Sequence, residues 1–295
     1  MNEEVKHFVV QRRRDRRIEE IQEALAVEEP LEIRLNDIPL AVVMRTPGHD
    51  FDLARGFLLT EGILQGANGE RQKIKGAAQS AEEFSSSPLA TCNLLVEHAR
   101  DELGLEIPNV INCRLPSISE KEISGWQRHI FASSSCGICG RASIDRVRLQ
   151  APPPSSRWQI SFQILQTLPD KLRQSQTAFA RTGGLHAAAF FTPAGEIIAV
   201  REDIGRHNAV DKILGWAMRQ NELSLENFGL LVSGRLSFEL VQKALIGGIA
   251  FMAGISAASS LAVELAQETG LTLAGFLRGD TAVVYSNPQR ILLEN

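Results

Sequence analysis

Cysteine is scarce in this chain: Cys92, Cys113, Cys136 and Cys139 are the only four in 295 residues. Four thiols in a chain of this length do not make a disulfide framework, which excludes a small stapled scaffold and makes a reducing cytoplasm the expected compartment. No run of eighteen uninterrupted apolar residues occurs, so no membrane span is expected. The opening Met1-Asn2-Glu3-Glu4 has neither the basic flank nor the apolar stretch of a secretion signal. Positive charge is not in excess either. Lys and Arg number 31 against 35 Asp and Glu, a formal net charge of −4, which argues against a broad nucleic-acid surface. What is present is ordinary for a globular protein with a real core: 44% hydrophobic and 22% charged residues. The length suits one large domain or two of usual size, and no internal repeat is evident.

Two of the four cysteines stand together in Ser133-Ser134-Ser135-Cys136-Gly137-Ile138-Cys139-Gly140-Arg141-Ala142-Ser143. The small residues around them hold neither a helix nor a strand, so the segment reads as a loop that exposes its sulfurs. On these residues alone it is a reactive sulfur loop, half of a structural zinc site, or an incidental turn. Structural zinc normally takes four ligands, and this loop offers two.

Residues 1–30 read as a polar, irregular N-terminal arm or helix carrying a basic cluster at Arg12, Arg13, Arg14, Arg16 and Arg17. Residues 31–132 read as a small α+β domain. A hairpin turns at Asn36-Asp37, a helix runs from Asp50 through Phe57 to Ile63, and short strands lie near Cys92–Val96 and Val110–Leu115. Residues 65–90, rich in Gly, Ser, Ala and Gln, read as a loop or insertion. Cys92 and Cys113 sit among apolar neighbours, as buried structural thiols do. Residues 133–156 combine the cysteine loop with a Pro-rich linker, Ala151-Pro152-Pro153-Pro154-Ser155-Ser156. In residues 157–295 helices alternate with strands, the pattern of a layered α/β domain. A helix is expected around Pro169–Ala180, strands at Leu185–Phe191 and Glu196–Val200, and helices near residues 209–216, 237–246 and 259–267.

Five polar clusters fall at strand ends of this second unit: Arg181 to His186, Arg201 to Asn208, Ser233-Gly234-Arg235 with Ser237 and Glu239 behind it, Arg278 to Thr281, and Pro288-Gln289-Arg290. Each alone has a bland explanation as a turn, a cap or a structural histidine. Together they offer arginines, backbone donors and small residues at loop corners, which suits a large phosphorylated or nucleotide-bearing ligand.

These segments, taken in order, resemble the formate dehydrogenase accessory sulfurtransferases, the FdhD/NarQ family. The resemblance rests on Ser135 to Gly140, Arg181 to Ala188, Glu202 to Lys212, Ser233-Gly234-Arg235 with Glu239 to Lys243, Ala257 to Glu264, and Leu271 to Leu292. It implies a cytoplasmic sulfur carrier and sulfurtransferase with no permanently bound cofactor. Such a protein accepts sulfur from a cysteine desulfurase as a persulfide on Cys136, with Cys139 supporting or resolving. It passes that sulfur to the molybdenum or tungsten centre of a bis-pyranopterin guanine dinucleotide cofactor destined for formate dehydrogenase. The family's cofactor-binding segment falls on Leu277, Arg278, Gly279, Asp280, Thr281 and Ala282, where Asp280 is an acid out of keeping with phosphate. Gly183, Gly184, His186, Arg206, His207 and Arg235 complete the expected cofactor contacts. The resemblance further implies a cytidine deaminase-like three-layer α/β/α fold for the C-terminal domain, with the Cys-x-x-Cys segment as a mobile loop. It also suggests a homodimer, to which the apolar run Ile246 to Phe251 is a candidate contributor. Zinc deaminase chemistry itself is disfavoured, because Ala188 stands where His-x-Glu requires the carboxylate, and the Cys-x-x-Cys precedes the histidine and has no leading proline. No metal site is expected. A thiol–disulfide oxidoreductase, a metal-dependent hydrolase and a non-catalytic cofactor chaperone are the alternatives.

Overall fold

The computed structural model describes residues 4–64, 94–133, 153–154, 156–220 and 225–293. The chain opens with β1 (Val5–Arg14) and β2 (Arg17–Ala26), an antiparallel pair that turns at Asp15 in the left-handed region (φ 54°). Residues 5–26 are therefore a regular hairpin, not an irregular arm or a helix. Ten cross-strand pairs hold the ribbon together, and the arginine cluster falls at its tip.

A four-stranded sheet follows, in the order β4 (Ile38–Arg45), β3 (Glu29–Leu35), β6 (Glu106–Arg114), β5 (Leu95–Arg100). Asn36 and Asp37 both take positive φ (51° and 68°), the geometry that a two-residue hairpin turn demands and that Asn and Asp tolerate. On one face Leu31, Ile33, Leu35 and Ile111 are fully buried under α1 (Asp50–Thr60), and α2 (Glu120–Ser133) packs beside the sheet through Ile123. Cys113 lies in this core, and burial, opposed weakly by Arg55, pushes its thiol up to about 12. Iodoacetamide is accordingly expected to spare Cys113 in the native protein and to alkylate it only in denaturant, with peptide mass mapping as the readout. Native labelling at Cys113 would contradict this packing.

The second half is built on a six-stranded sheet ordered β13 (Thr281–Ser286), β12 (Thr272–Arg278), β11 (Phe251–Gly254), β10 (Gly229–Val232), β8 (His186–Phe191), β9 (Ile197–Asp203). The central three, β10 to β12, are parallel; β8 and β13 run against them, and the edge strand β9, antiparallel to β8, runs with them. Residues alternate between two cores. Ala188, Phe190, Leu230, Val232 and Met252 face one, while Ala187, Ala189, Phe191, Leu231 and Phe251 face the other. Such strands read as unbroken apolar runs because both faces are covered. The first face carries α5 (Arg206–Arg219), α6 (Phe238–Ile246) and α7 (Ser260–Thr269). The second carries α3 (Phe162–Ser175), through Leu165, Leu168 and Leu172. The helix expected around Pro169 thus begins at Phe162, where Ser161 caps it by accepting from the Gln163 amide (3.2 Å). It continues past Pro169 and gives way at Gln176 to α4 (Thr177–Thr182). A two-residue parallel bridge of β7 (Ile160–Ser161) with β14 (Ile291–Leu292) closes the chain's end over the start of α3.

One core joins the two halves. α1 crosses α5 so closely that a Cβ on Gly56 would lie 1.8 Å from the Asp211 carbonyl oxygen, and one on Gly215 would lie 1.8 Å from that of Asp52. Backbone meets backbone there, and the aspartate side chains turn outward from the crossing. Asp52 binds Arg201 (3.1 Å) and Arg219 (2.7 Å), and Asp211 binds Lys243 (2.8 Å). The apolar run Ile246 to Phe251 is also consumed inside the chain: Ile249, Ala250 and Phe251 are fully buried. It offers no dimer surface, because Phe251 opens a central strand whose ring stacks on Trp158 (centroids 5.3 Å apart). Among the described residues no helix is long and apolar enough to cross a membrane.

Candidate functional site

Val232 and Gly254 end their parallel strands side by side, and β12, whose Ala274 pairs with Ala253, runs past their level to Arg278. Because β8 runs against β10, its first residue, His186, comes to the same edge, opposite Asp203, the last residue of β9. The carboxyl edge of an open α/β sheet is where such folds bind ligands. Of the five polar clusters, four border it.

At one end of the edge the corners converge on His186. Gly234, in the turn after β10, lies so close that a Cβ there would sit 3.2 Å from His186 Nδ1 and 3.6 Å from Arg206 Cβ. Ser233 fixes this turn to β8 by accepting from the Ala187 amide (2.9 Å) while its own amide donates to the Ala187 carbonyl (3.0 Å). Burial holds His186 below the usual histidine range, and the charges of Arg206, His207 and Arg235 add to that, against an opposing pull from Asp203. A neutral imidazole beside two guanidinium groups is a corner short of negative charge. Three polar atoms are buried in it without a hydrogen bond of good geometry among the described residues, Arg206 Nε, Ser237 Oγ and His207 Nε2. His207 Nε2 lies 2.8 Å from Glu239 Oε2, across from α5 to α6.

The corner is held rigid by groups that do not face a ligand. Asp203 is fully buried and pairs with Lys212 (2.8 Å), accepts from the Gly205 amide (2.8 Å) and Asn208 Nδ2 (2.9 Å), and takes the Thr46 amide of the first half (3.2 Å). Lys212 returns a hydrogen bond to the Thr46 carbonyl (2.8 Å). Glu202 turns away from the edge and caps α4, accepting from the amides of Ala178 (3.0 Å) and Phe179 (2.8 Å). Gly183 ends that helix in the left-handed conformation (φ 66°) that favours glycine. Gly184 is exposed beside it, and a Cβ added there would lie 3.9 Å from the Cβ of Ala26 at the foot of the N-terminal hairpin. A cleft of about 530 Å³ adjoins this corner, lined by Glu4 to Phe8 of the hairpin and Arg181.

At the other end, β12 and β13 project as a hairpin. Phe276 takes φ 51° in a bulge, where its amide donates to the Ser256 carbonyl (3.1 Å), and Gly279 turns the chain at φ 54°. Arg278, Gly279, Asp280 and Thr281 are exposed and Ala282 is half-buried, whereas Leu277 is buried in the second core. Arg278 lies over the exposed Phe276 ring at 5.9 Å. Three strand spacings separate β8 from β12, so this hairpin stands roughly 14 Å from the His186 corner. The edge thus brings His186, Arg206, His207 and Arg235 together and sets Arg278 to Ala282 well apart from them.

The fifth cluster is structural. Arg290 spends its guanidinium on the Gly270 carbonyl (3.0 Å), Thr272 Oγ1 (3.0 Å) and the Ser156 carbonyl (2.9 Å), pinning the chain end to α7 and the start of α3. Glu239, which the sequence set behind the Ser233–Arg235 corner but not among the expected cofactor contacts, is a further contributor. Its signal was an equal spacing: His207 and Asp211 on α5 face Glu239 and Lys243 on α6, each pair four residues apart. Cys136, Cys139 and Arg141 lie outside the described residues, as does Cys92.

Comparison with known proteins places this geometry among relatives. A profile of the FdhD/NarQ family matches residues 26–292. The chain is 46% identical over 283 residues to a protein from Streptomyces coelicolor named sulfur carrier protein FdhD, a match that covers 95% of this chain and 93% of that one. Proteins of the same name from Mycobacterium tuberculosis (45% over 272 residues, 91% and 92% covered) and Sulfolobus acidocaldarius (39% over 270 residues, 92% of each) are also similar. In fold, the chain is similar to a crystal structure from Desulfotalea psychrophila, provisionally assigned as a formate dehydrogenase accessory protein. The TM-score is 0.67 at 22% identity, over 98% of this chain and 99% of that one. That likeness speaks to the fold alone.

Proposed function

The chain belongs to the FdhD/NarQ family, and from that premise we propose that it is a sulfur carrier serving the maturation of a formate dehydrogenase. Sulfur arrives from a cysteine desulfurase and leaves for the molybdenum or tungsten of a bis-pyranopterin guanine dinucleotide, which is the protein's substrate. The observation that carries this reading is the sheet edge. A cation-rich corner at His186, Arg206, His207 and Arg235 and an arginine-bearing hairpin at Arg278 stand roughly 14 Å apart on one rim. A ligand that engages both must be long and carry separated negative charges, as a phosphate-linked dinucleotide does. The strand order and the helices on both faces support reading this half as a cytidine deaminase-like unit put to another use.

Cys136 carries the sulfur. Its thiolate attacks the terminal sulfur of the donor's persulfide, a new sulfur–sulfur bond forms at Cys136, and the donor cysteine departs as a thiolate with the bonding pair. Only the thiolate is nucleophilic, and an unperturbed thiol with a pKa near ~8.5 is a few per cent ionised at neutral pH. Cys139 assists: its thiolate attacks the Cys136 sulfur of a leftover persulfide, a disulfide closes, and the terminal sulfur leaves as hydrosulfide with the bonding pair. The family likeness also supports a homodimer in the cytoplasm.

Mass spectrometry after exposure to a desulfurase and cysteine tests the assignment. The wild-type protein and Cys139→Ala are expected to gain one sulfur on the peptide containing residue 136, and Cys136→Ala is expected to gain none. Full sulfur uptake by Cys136→Ala would overturn it, and restoration of formate dehydrogenase activity in cells by that variant would favour a chaperone that binds cofactor without carrying sulfur.

A further inference from the structure

Charge gathers at the start of α5 against the local electrostatics. A helix N-terminus carries partial positive charge and favours acids in its first turn, yet α5 has none there and opens with Arg206 and His207. A local rule broken in this way points to function rather than to stability. One acid answers from elsewhere in the chain: Glu239, second residue of α6, with Oε2 2.8 Å from His207 Nε2. The hydrogen bond from His207 is the main cause holding the Glu239 carboxyl below its ordinary range, against the effect of burial.

The other charged groups near His207 leave this pair to itself. Lys243, one turn along α6, commits its ammonium to both Asp211 oxygens (2.8 and 2.9 Å) and to Thr60 Oγ1 (2.7 Å). Glu61, just past α1, is raised by burial despite Lys243 beside it, so it competes poorly for the imidazole. His186 from β8, held below the usual histidine range by burial, offers no counter-charge, and Arg206 on α5 carries a like one. With Nε2 taken by Glu239, Nδ1 is the remaining ring nitrogen, on a side chain that is one-third exposed (33%).

We infer that His207 is a proton-dependent donor to a phosphate-bearing ligand at this edge, and that Glu239 is the positioning residue that holds its ring. Protonated, the imidazolium gives an Nδ1–H to a phosphate oxygen. Deprotonated, with the remaining proton on Nε2 against Glu239, Nδ1 presents a lone pair to the same oxygen and the contact is lost. Binding therefore takes up a proton, and no covalent bond changes. This inference rests on the edge being the seat of the nucleotide-bearing substrate.

Calorimetric titration with guanosine diphosphate, between about pH 6 and 8 and in two buffers of different ionisation enthalpy, tests it. Wild-type affinity is expected to fall as pH rises by up to about tenfold per unit, the slope of one linked proton, in excess of any change from the ligand's own phosphates. His207→Asn should bind weakly with that excess slope gone. Glu239→Gln should keep the slope but bind more weakly than wild type at every pH, because the ring loses the carboxylate that orients it. Thermal unfolding checks that each variant is folded, and His207→Gln stands in if the Asn variant is not. An unchanged slope in the His207 variants, or wild-type affinity in Glu239→Gln, overturns the inference and leaves the reading of the edge intact. If the wild-type protein binds no guanosine diphosphate at any pH, that reading fails and the inference falls with it.

Discussion

Gly215→Ala is expected to destabilise the protein by at least about 3 kcal/mol, the upper end of what overpacking costs, and to leave little folded material when total stability is only about 5–15 kcal/mol. The added methyl group would lie 1.8 Å from the Asp52 carbonyl oxygen, with the Gly56 amide at 2.8 Å. Neither neighbour is the end of a flexible side chain, so relief requires separating α1 from α5 and opening the core that both halves share. Gly56→Ala should do the same from the other helix, meeting the Asp211 carbonyl oxygen at 1.8 Å. Gly125→Ala is the control: it lies in α2, where an added Cβ meets nothing within 4 Å. Replacing a helical glycine there should stabilise by about 0.5–1 kcal/mol. Guanidinium unfolding of the three variants decides the matter, and a Gly215→Ala protein as stable as wild type would mean that the crossing is not as close as described.

Asp211→Ala carries the second large effect. Lys243 is buried beneath α1, α5 and α6, and its charge is balanced by Asp211 at 2.8 Å and by Glu61 at 3.7 Å. Burial draws its pKa down, but Asp211 and Glu61 outweigh burial and the net shift is upward from the ordinary 10.5. Taking Asp211 away leaves an ammonium in the core, a change that typically costs about 3–5 kcal/mol. The double variant Asp211→Leu, Lys243→Met removes both charges and should recover most of that loss. The sign of the pH dependence follows from the raised lysine. The pair's contribution is fully present below about 10.5, the unfolded value, and is lost as pH rises through the higher native value. The gap between wild type and Asp211→Ala should thus be constant near neutrality and close only in strong alkali. Denaturant unfolding at neutral and strongly alkaline pH measures it, and a single Asp211→Ala variant that unfolds no more easily than the double variant would contradict the assignment.

Local pattern carried much of this architecture. The apolar runs at residues 185–191, 229–232 and 271–276 are strands because both of their faces are covered. Asn36-Asp37 is a hairpin turn because those residues tolerate positive φ. Ser259 and Gly270 bracket a helix as a cap and a left-handed stop. Pattern failed where a distant partner overrides it. Residues 5–26 look like a solvated arm because of the charge run from Arg12 to Arg17, yet cross-strand pairing over ten residues a side makes them a ribbon. The run Ile246 to Phe251 looks like an interface because nothing local says that a sheet lies over it.

The candidate site divides in the same way. Residue type and order were enough to single out Cys136, the Gly183-Gly184 corner, His186, Arg206, His207, Arg235 and the Arg278 hairpin, because glycines and cations at strand ends are visible in one dimension. Which acids and bases are already spent was not visible, since that depends on contacts between residues far apart in the chain. Asp203 goes to Lys212 and Thr46, Glu202 to the start of α4, and Arg290 to backbone carbonyls; Glu239 comes from a second helix to hold His207. The sequence alone determined the alternation of strands and helices and the chemical types at their ends, because short-range periodicity and turn geometry depend on neighbours. Only the tertiary structure decided that two halves share one core through a backbone-to-backbone crossing, and that a histidine 32 positions from a glutamate forms its pair, because packing and charge pairing depend on distance in space.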